Sequence, residues 1–200
     1  MDRLEKLAEK IRKNEFDAKV FNTKEEAVEY IAEACKGKTI GIGDSHTITS
    51  IGLIEALKKQ GNEIYACQIN KEREYKLKTL TTNVFILSAN AVSEETGELV
   101  NVDSSCNRIA GSLYGPDNVI FVVGKNKIAK DLPEAINRAR NIAAPMNSKV
   151  HNYNLPCAIT GICHNCSSPE RICRATVIYH KKPKPFNFGL VVIINEDLGF

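Results

Sequence analysis

Four late cysteines have the residue type and the spacing to hold a metal. Cys157, Cys163, Cys166 and Cys173 are separated by five, two and six residues, and a glycine and a proline bend the chain between them. Soft thiolates select iron-sulfur clusters or zinc. Structural zinc sites commonly pair two short knuckles, and only one of these spacings is that short. We therefore expect a four-iron (4Fe-4S) cluster first and zinc as the alternative.

The start of the chain bears on how these thiols are used. Residues 1–6 alternate charge and contain no apolar segment typical of a secretory signal, so we expect a cytoplasmic protein. In that compartment, clustered cysteines bind metal or do chemistry more often than they form disulfides. Cys35, on a predicted helix, and Cys67, on a predicted strand, are expected to be small buried side chains.

A second candidate site is the loop at residues 41–47, between a predicted buried strand and a helix. Backbone N–H groups and the helix dipole would stabilise a phosphate or carboxylate there, and hydroxyls could add donors. His46 stands where a dinucleotide fingerprint has its third glycine, so a dinucleotide is not predicted. A capped turn without a ligand is the alternative. The expected ligand contacts in this loop are Gly41, Gly43, Ser45 and Thr47.

Polar groups also follow other apolar strands, where α/β sheets assemble their ligand pockets. Arg108 could hold an anion by two parallel hydrogen bonds, and residues 125–127 (KNK), after the strongest predicted strand, would add positive charge. Glu98 and Asp103 are the candidate catalytic acid or base groups, with simple solvated carboxylates as the alternative. The expected ligand contacts outside the loop are Asn90, Asn107, Arg108 and Lys125.

The elements that must position these groups alternate between helical and strand patterns. This alternation predicts an α/β fold, with a mostly parallel sheet flanked by helices, in a single domain over residues 1–200. We expect N-terminal helices in residues 1–36, a hairpin turning at Gly97, and a helix from Asp131 to Ala143 that Pro145 stops. A cysteine-rich, loop-like metal-binding segment is expected over residues 145–175, before a last strand that rejoins the main sheet.

Composition limits the classes of partner. The 27 basic and 24 acidic residues give a net charge of +3, and they are interspersed instead of forming a basic stripe, so nucleic-acid binding is not predicted. The sequence also contains no apolar segment long enough to predict a membrane span. Small anionic metabolites and other proteins, including a second copy of the chain in a homodimer, remain the candidate partners.

Six motifs follow one another along the chain: 41–47 (GIGDSHT), 88–92 (SANAV), 96–99 (TGEL), 107–110 (NRIA), 123–127 (VGKNK) and 196–200 (EDLGF). In this succession they resemble the LUD domain, the LutC or YkgG family of lactate utilisation proteins. The resemblance implies a fold like that of ribose-5-phosphate isomerase, glucosamine-6-phosphate isomerase and the CoA transferases (NagB/RpiA/CoA-transferase-like), whose ligands bind near the first strand-to-helix loop. It transfers a ligand-contact role to Gly43, Ser45 and Thr47, and more loosely to Asn90, Asn107 and Arg108.

The resemblance also implies a function. The family is linked to oxidation of L-lactate to pyruvate together with separate iron-sulfur and oxidoreductase partners. Our first hypothesis is a redox or accessory subunit of 2-hydroxyacid oxidation that binds an iron-sulfur cluster and a small anionic metabolite. The second is an autonomous isomerase, transferase or lyase acting on a small phosphorylated or carboxylated metabolite, with Glu98 or Asp103 transferring the proton. The third is a ligand-sensing module stabilised by metal.

Overall fold

The computed structural model describes residues 2–66, 69–70 and 72–200, and Cys67 lies outside them. The helices are α1 (Asp2–Lys13), α2 (Lys24–Ala34), α3 (His46–Ser50), α4 (Leu53–Lys59), α5 (Arg73–Lys78), α6 (Asn107–Leu113), α7 (Leu132–Arg138), α8 (Ala144–Val150) and α9 (Pro156–Thr160). The strands are β1 (Asp17–Phe21), β2 (Ile40–Ile42), β3 (Ile64–Ala66), β4 (Val84–Leu87), β5 (Ala91–Ser93), β6 (Leu99–Asp103), β7 (Asn118–Gly124), β8 (Ile128–Ala129), β9 (Ala175–Tyr179) and β10 (Phe188–Ile194).

The main sheet is parallel throughout the described part of the chain. Its six strands lie in the order β1-β10-β7-β4-β2-β3, and every neighbouring pair is parallel. The last strand of the chain, β10, lies between β1 and β7, which confirms that it rejoins the main sheet. Helices flank this sheet, so the predicted α/β class is confirmed. Because all six strands point the same way, the loops after them meet at one edge.

A second sheet of four strands lies against the first, in the order β8-β5-β6-β9 among the described residues. The predicted hairpin is its centre: β5 and β6 are antiparallel, and Gly97 between them has a left-handed φ of 73°. Strand β9 pairs antiparallel with β6. Local patterns in the sequence predict both β9 and the hairpin but not their pairing, because the partners are about 75 residues apart in sequence.

Two apolar clusters cover the two faces of the main sheet. Alternate residues of β4 divide between them: Val84 and Ile86 pack with helices α2 to α4, whereas Phe85 and Leu87 pack with α1 and the second sheet. This is the period-two alternation of a strand buried on both faces. A third cluster joins the outer face of the second sheet to α7. The second sheet is therefore held between the main sheet and the helix that begins at Leu132.

The N-terminal segment contains more than the expected helices. Helices α1 and α2 are present, and Thr23 and Glu26 form the capping box that the sequence predicts for α2. Between them, however, lies strand β1, which pairs parallel with β10 at the edge of the sheet. Its charged residues Asp17 and Lys19 hide the strand pattern, as is typical of edge strands.

Pro145 does not stop its helix, so that expectation is wrong. Helix α7 passes into a π-helical turn over Ala139–Ala143 and then into α8, which contains Pro145 in its first turn. The N–H of Ala144 donates to the carbonyl of Ala139, five residues back. This shift breaks the regular ladder just before a residue that has no N–H to donate, so the proline is tolerated. Residues 145–175 accordingly include α8 and α9 as well as loops.

Across the described residues, the helices are too short or too polar to pass through a lipid bilayer.

Candidate functional site

A cavity of about 580 Å³ opens at the carboxyl edge of the main sheet. Strands β10, β7, β4 and β2 are neighbours in this sheet, and the chain that follows each of them contributes to the wall. Thr47 comes from the chain after β2, Ser88 follows β4, Lys127 comes from the turn after β7 and Phe200 from the tail after β10. The second sheet adds Asp103 at the end of β6. Parallel topology thus brings together residues more than 150 positions apart.

Lys127 is the most deeply placed charged group of the cavity, with 3% of its surface exposed. Its Nζ donates to Thr47 Oγ1 at 2.7 Å and to Ser88 Oγ at 2.8 Å. Among the described residues, no carboxylate lies within 4.0 Å of this ammonium. Burial, with smaller contributions from the charges of Arg138 and Arg108, lowers the pKa of Lys127 to about 7.

Of the two lysines in residues 125–127, Lys125 is the predicted ligand contact, but Lys127 is the one in the cavity. Lys125 is exposed and does not line the cavity. Both lysines lie in the short 3₁₀ turn after β7, which points the first residue outward and the third inward. The motif at 123–127 contains the right residue, but the turn that follows the strand has no sequence signature that would identify it. The buried position of Lys127 is a property of the assembled fold.

The glycines of the 41–47 loop serve close packing. A Cβ on Gly41 would lie 2.4 Å from the carbonyl oxygen of Thr79, and one on Gly43 would lie 2.7 Å from Arg108 Cγ. Neither glycine lines the cavity, and the N–H of Gly43 donates to the carbonyl of Ile86 at 3.2 Å. Gly43 therefore acts on the site indirectly, because only a glycine lets Arg108 lie across it.

Ser45 and Thr47 do line the cavity, as the loop prediction requires of ligand contacts. Ser45 caps α3, its hydroxyl accepting from the N–H of Ile48 at 3.3 Å. Thr47 is 1% exposed and accepts the hydrogen bond from Lys127. The loop thus supplies one capping hydroxyl near the surface and one hydroxyl that orients the buried ammonium.

Asp103 and Arg108 form a half-buried ion pair in the cavity wall. Arg108 Nε lies 3.5 Å from Asp103 Oδ2, and Arg108 Nη2 donates to the carbonyl of Val102 at 2.6 Å. Asp103 is 4% exposed and accepts from the N–H groups of Ser104 and Ile109, at 2.7 and 3.3 Å. The carboxylate and the guanidinium are therefore held in fixed positions on one side of the cavity.

Glu98, the other predicted acid or base, lies away from this cavity. It precedes β6 whereas Asp103 ends it, so at about 3.4 Å per strand residue the two carboxylates are roughly 17 Å apart. Glu98 pairs with His180 and accepts from the hydroxyl of Thr96. Burial raises the pKa of Glu98, but the hydrogen bonds from Thr96 and His180 outweigh this and lower it. The two carboxylates are too far apart to act on the same atoms.

Asn90 and Asn107 also line the cavity. Asn90 is fixed by the second sheet: its N–H donates to Asn101 Oδ1 at 2.9 Å, and its Oδ1 accepts from the N–H of Val102 at 2.8 Å. Asn107 accepts from the hydroxyl of Ser105 at 2.6 Å. Of the predicted ligand contacts, the structure therefore brings Ser45, Thr47, Asn90, Asn107 and Arg108 to one cavity, together with Asp103.

The C-terminal residues close one side of the cavity. The ring of Phe200 stacks on His46 with 4.7 Å between ring centroids. Asn126 fixes the chain before it, accepting from the N–H of Leu198 at 3.0 Å and donating to the carbonyl of Gly199 at 3.3 Å. The final motif of the sequence thus becomes part of the wall, which sequence reasoning did not assign to it.

The four late cysteines lie outside the cavity lining, next to its helical wall. All four are free and half-buried. Cys157 and Cys166 pack on a small cluster that contains Ile172, and Cys173 packs on the cluster beneath α7. Within the described part of the chain, no three His, Cys, Asp or Glu side chains are grouped to hold a metal ion. The thiols share a segment, but their arrangement does not fit a coordination site.

Comparison with known proteins bears on the family and the fold. The family model for the LUD domain matches residues 4–193. A crystal structure of a DUF162 family protein from Deinococcus radiodurans is similar, with 15% sequence identity, 96% of each chain covered and a TM-score of 0.55. At that identity the similarity concerns the fold alone. No curated protein matches the chain.

Proposed function

We propose, because the chain belongs to the LUD-domain family, that its cavity binds a small anionic metabolite and that the protein is a redox or accessory subunit of 2-hydroxyacid oxidation. The six sequence motifs predict this family, and the match of the family model over residues 4–193 confirms it. The proposal adds to it a site, formed by Lys127, Thr47, Ser88, Arg108 and Asp103, and a ligand class, carboxylates and phosphates.

The buried ammonium of Lys127 is the observation that carries this proposal. Burial removes the hydration of the charge, and the neutral hydroxyls of Thr47 and Ser88 return hydrogen bonds but no negative charge. A carboxylate or phosphate in the cavity would supply the missing counter-ion. Strongly perturbed groups in a cavity are typical of functional sites, because their perturbation costs stability that only function compensates.

Asp103 and Arg108 favour a 2-hydroxyacid among small anions. Such an acid carries a carboxylate and a hydroxyl on neighbouring carbons, which matches a cation and a hydrogen-bond acceptor held on one wall. In this proposal the carboxylate lies between Lys127 and Arg108, and Asp103 accepts the hydrogen bond of the 2-hydroxyl. Asp103 would then receive the hydroxyl proton when the substrate is oxidised.

The oxidation also needs an electron acceptor. Conversion of a 2-hydroxyacid to a 2-oxoacid releases two electrons and two protons, and we place the acceptor in a separate iron-sulfur or oxidoreductase protein of the cytoplasm. The 4Fe-4S cluster on Cys157, Cys163, Cys166 and Cys173, with zinc as its alternative, stays a prediction. No step at the cavity depends on it.

Isothermal titration calorimetry with L-lactate, glycolate and phosphate tests the cavity, with Lys127→Met as the variant. Loss of a charged hydrogen bond of about 2–3 kcal/mol would weaken binding roughly 30- to 150-fold. Lys125→Met is the matched control, because it removes an exposed lysine two residues away, and binding should change less than about twofold. Equal losses in both variants would show that net charge, not the cavity, binds the anion.

The autonomous enzyme is the second candidate, and the position of Asp103 favours it. This carboxylate lines the cavity, within reach of a bound ligand as a proton-transfer group requires, whereas Glu98 lies at the other end of β6. Turnover of a bound acid or sugar phosphate by the purified chain alone, lost in Asp103→Asn, would support this candidate over the accessory subunit.

A further inference from the structure

The cavity has two walls of different chemistry. The polar wall is formed by the chain after β2, β4 and β7 and by the end of β6, and it carries the charges of Lys127, Arg108 and Asp103. The opposite wall is formed by the helix α7–α8 and the segments that pack on it. Asn147, His151 and Tyr153 near its end are polar, and its other lining side chains are short or apolar: Ala139, Ala143, Ala144, Val150 and Ile172.

Both walls begin at the bottom of the cavity. On the polar wall Thr47 and Lys127 are 1% and 3% exposed. On the helical wall Ala139 and Ala143 are 0% and 1% exposed and Val150 is 53% exposed, so this wall runs from the bottom of the cavity to its mouth. A ligand whose charged group meets Lys127 therefore has an apolar wall along which the rest of it can lie.

The helical wall is shaped to leave room for that portion. Ala139 and Ala143 bound the π-helical turn, and both line the cavity with nothing larger than a methyl group. Turns of this kind recur at functional sites, where they widen or redirect a helix. The volume of about 580 Å³ falls in the range of roughly 300–1,000 Å³ that holds ligands of many atoms. A three-carbon acid would leave most of it empty.

We propose that the ligand of this cavity is an acid with an apolar tail longer than the methyl group of lactate. This inference rests on the proposed function, since its anionic group occupies the same place beside Lys127. The tail lies along Ala139, Ala143 and Ala144 and reaches the mouth at Val150. Burial of tail methylenes against these side chains supplies the affinity that a shorter acid lacks.

Calorimetric titration with straight-chain 2-hydroxyacids from lactate to 2-hydroxyoctanoate tests the tail. Each methylene buried is expected to tighten binding by up to about fourfold, until the tail reaches the mouth and the gain stops. Dissociation constants that do not fall with chain length would overturn the inference. If lactate still bound in a manner that requires Lys127, the proposed function would survive that result, whereas failure of all acids to bind would remove both.

Two variants place the tail within the cavity. Ala143→Leu fills the apolar half and should abolish the gain with chain length while leaving the affinity for lactate within about twofold.

Val150→Asp is a second variant in case Ala143→Leu does not fold. Val150 is exposed, so this substitution should not disturb folding. A carboxylate there should weaken 2-hydroxyoctanoate at least about tenfold and lactate little. Met146→Asp is the matched control, since Met146 is 45% exposed on the same helix and does not line the cavity. Equal effects of the two aspartates would contradict the proposed path.

Discussion

In the cavity, residues that are far apart in sequence meet in space, whereas in the cysteine segment (residues 157–173) residues that are close in sequence are not grouped into a metal site. Thr47 and Ser88 lie 80 and 39 residues before Lys127, yet both hydroxyls are within hydrogen-bond distance of its ammonium. Cys157, Cys163, Cys166 and Cys173 lie within 17 consecutive positions, yet the described residues hold no three-ligand group. Parallel strands enforce the first convergence, because their carboxyl ends must meet at one edge.

This difference shows what each site needs in order to form. The cavity is built on strands and helices whose packing fixes the side chains before any ligand arrives. The cysteine segment packs on a small cluster of Ala144, Leu155 and Ile172, and the thiols of Cys157, Cys163 and Cys173 each have a hydrogen-bond partner. Bringing the four thiols together around a metal would require this segment to rearrange, and metal binding and local folding are coupled when no preformed site exists.

The largest expected effect is on metal content, which tests whether the cysteine segment is a site at all. If the segment orders around a cluster, protein purified without oxygen carries iron and sulfide in about equal amounts, and Cys163→Ser loses most of both. Cys106→Ser is the control, because Cys106 is half-buried outside the segment. One zinc without sulfide would favour the alternative metal. A metal-free protein whose four late thiols all react would exclude the metal centre and leave the cavity as the candidate site among the described residues.

The pH dependence of ligand binding tests whether Lys127 is the group that binds the anion. Because the pKa of Lys127 is lowered to about 7, its amine loses the proton just above neutral pH. An anion that requires the ammonium should then weaken about tenfold for each pH unit above 7, since binding takes up one proton. Titrations between pH 6 and pH 9 measure this, and Lys127→Arg, whose charge persists, serves as the comparison. A dissociation constant that stays constant across this range would mean that Lys127 is not the anion's partner.

The stability of the ligand-free protein should change with pH in the opposite direction. The folded pKa of about 7 lies below the ordinary value of 10.5, so between these values the unfolded chain binds more protons than the native one. The free energy of unfolding therefore rises from about pH 7 to about pH 10 through this group. Urea denaturation of the wild type and of Lys127→Met measures the effect as the difference between their pH profiles. Parallel profiles would contradict a lysine that is buried and unpaired.

Sequence patterns predict the parts of this molecule that depend on neighbours in the chain. The apolar strand β7, the capping box of Thr23 and Glu26, and the turn at Gly97 all have local signatures. Thr47, in a strand-to-helix loop, and Arg108, after an apolar strand, are also predictable, because such polar groups commonly face a ligand. Lys127 cannot be told apart from Lys125 in the sequence, because only the turn geometry separates them. Strand β1 cannot be predicted because its charged residues hide the pattern of an edge strand, and the continuation of the helix past Pro145 cannot because a π-turn has no sequence signature.

Gly43→Ala tests the contribution of Arg108 to the cavity without changing a residue that lines it. The new Cβ would lie 2.7 Å from Arg108 Cγ, closer than carbon atoms pack, so Arg108 must move. We expect a loss of about 1–3 kcal/mol of stability and a weaker anion affinity, because the guanidinium leaves its place beside Asp103. Gly37→Ala is the control for adding a methyl group: Gly37 has a left-handed φ of 71° but open space around it, so only stability should fall. Equal anion affinity in both variants would remove Arg108 from the site.

The smallest effect is expected at Glu98, and it separates the two carboxylates of β6. Glu98→Gln removes a charge paired with the exposed His180, so stability should fall by less than about 1 kcal/mol and anion affinity should stay the same. Because hydrogen bonds lower the pKa of Glu98, its contribution is present above the ordinary pKa and disappears as the pH falls through the folded one. Asp103→Asn breaks a pair whose carboxylate is 4% exposed and should change both stability and binding. If binding responded to Glu98→Gln as strongly as to Asp103→Asn, the hairpin end would belong to the ligand site, and the cavity would extend along the whole of β6.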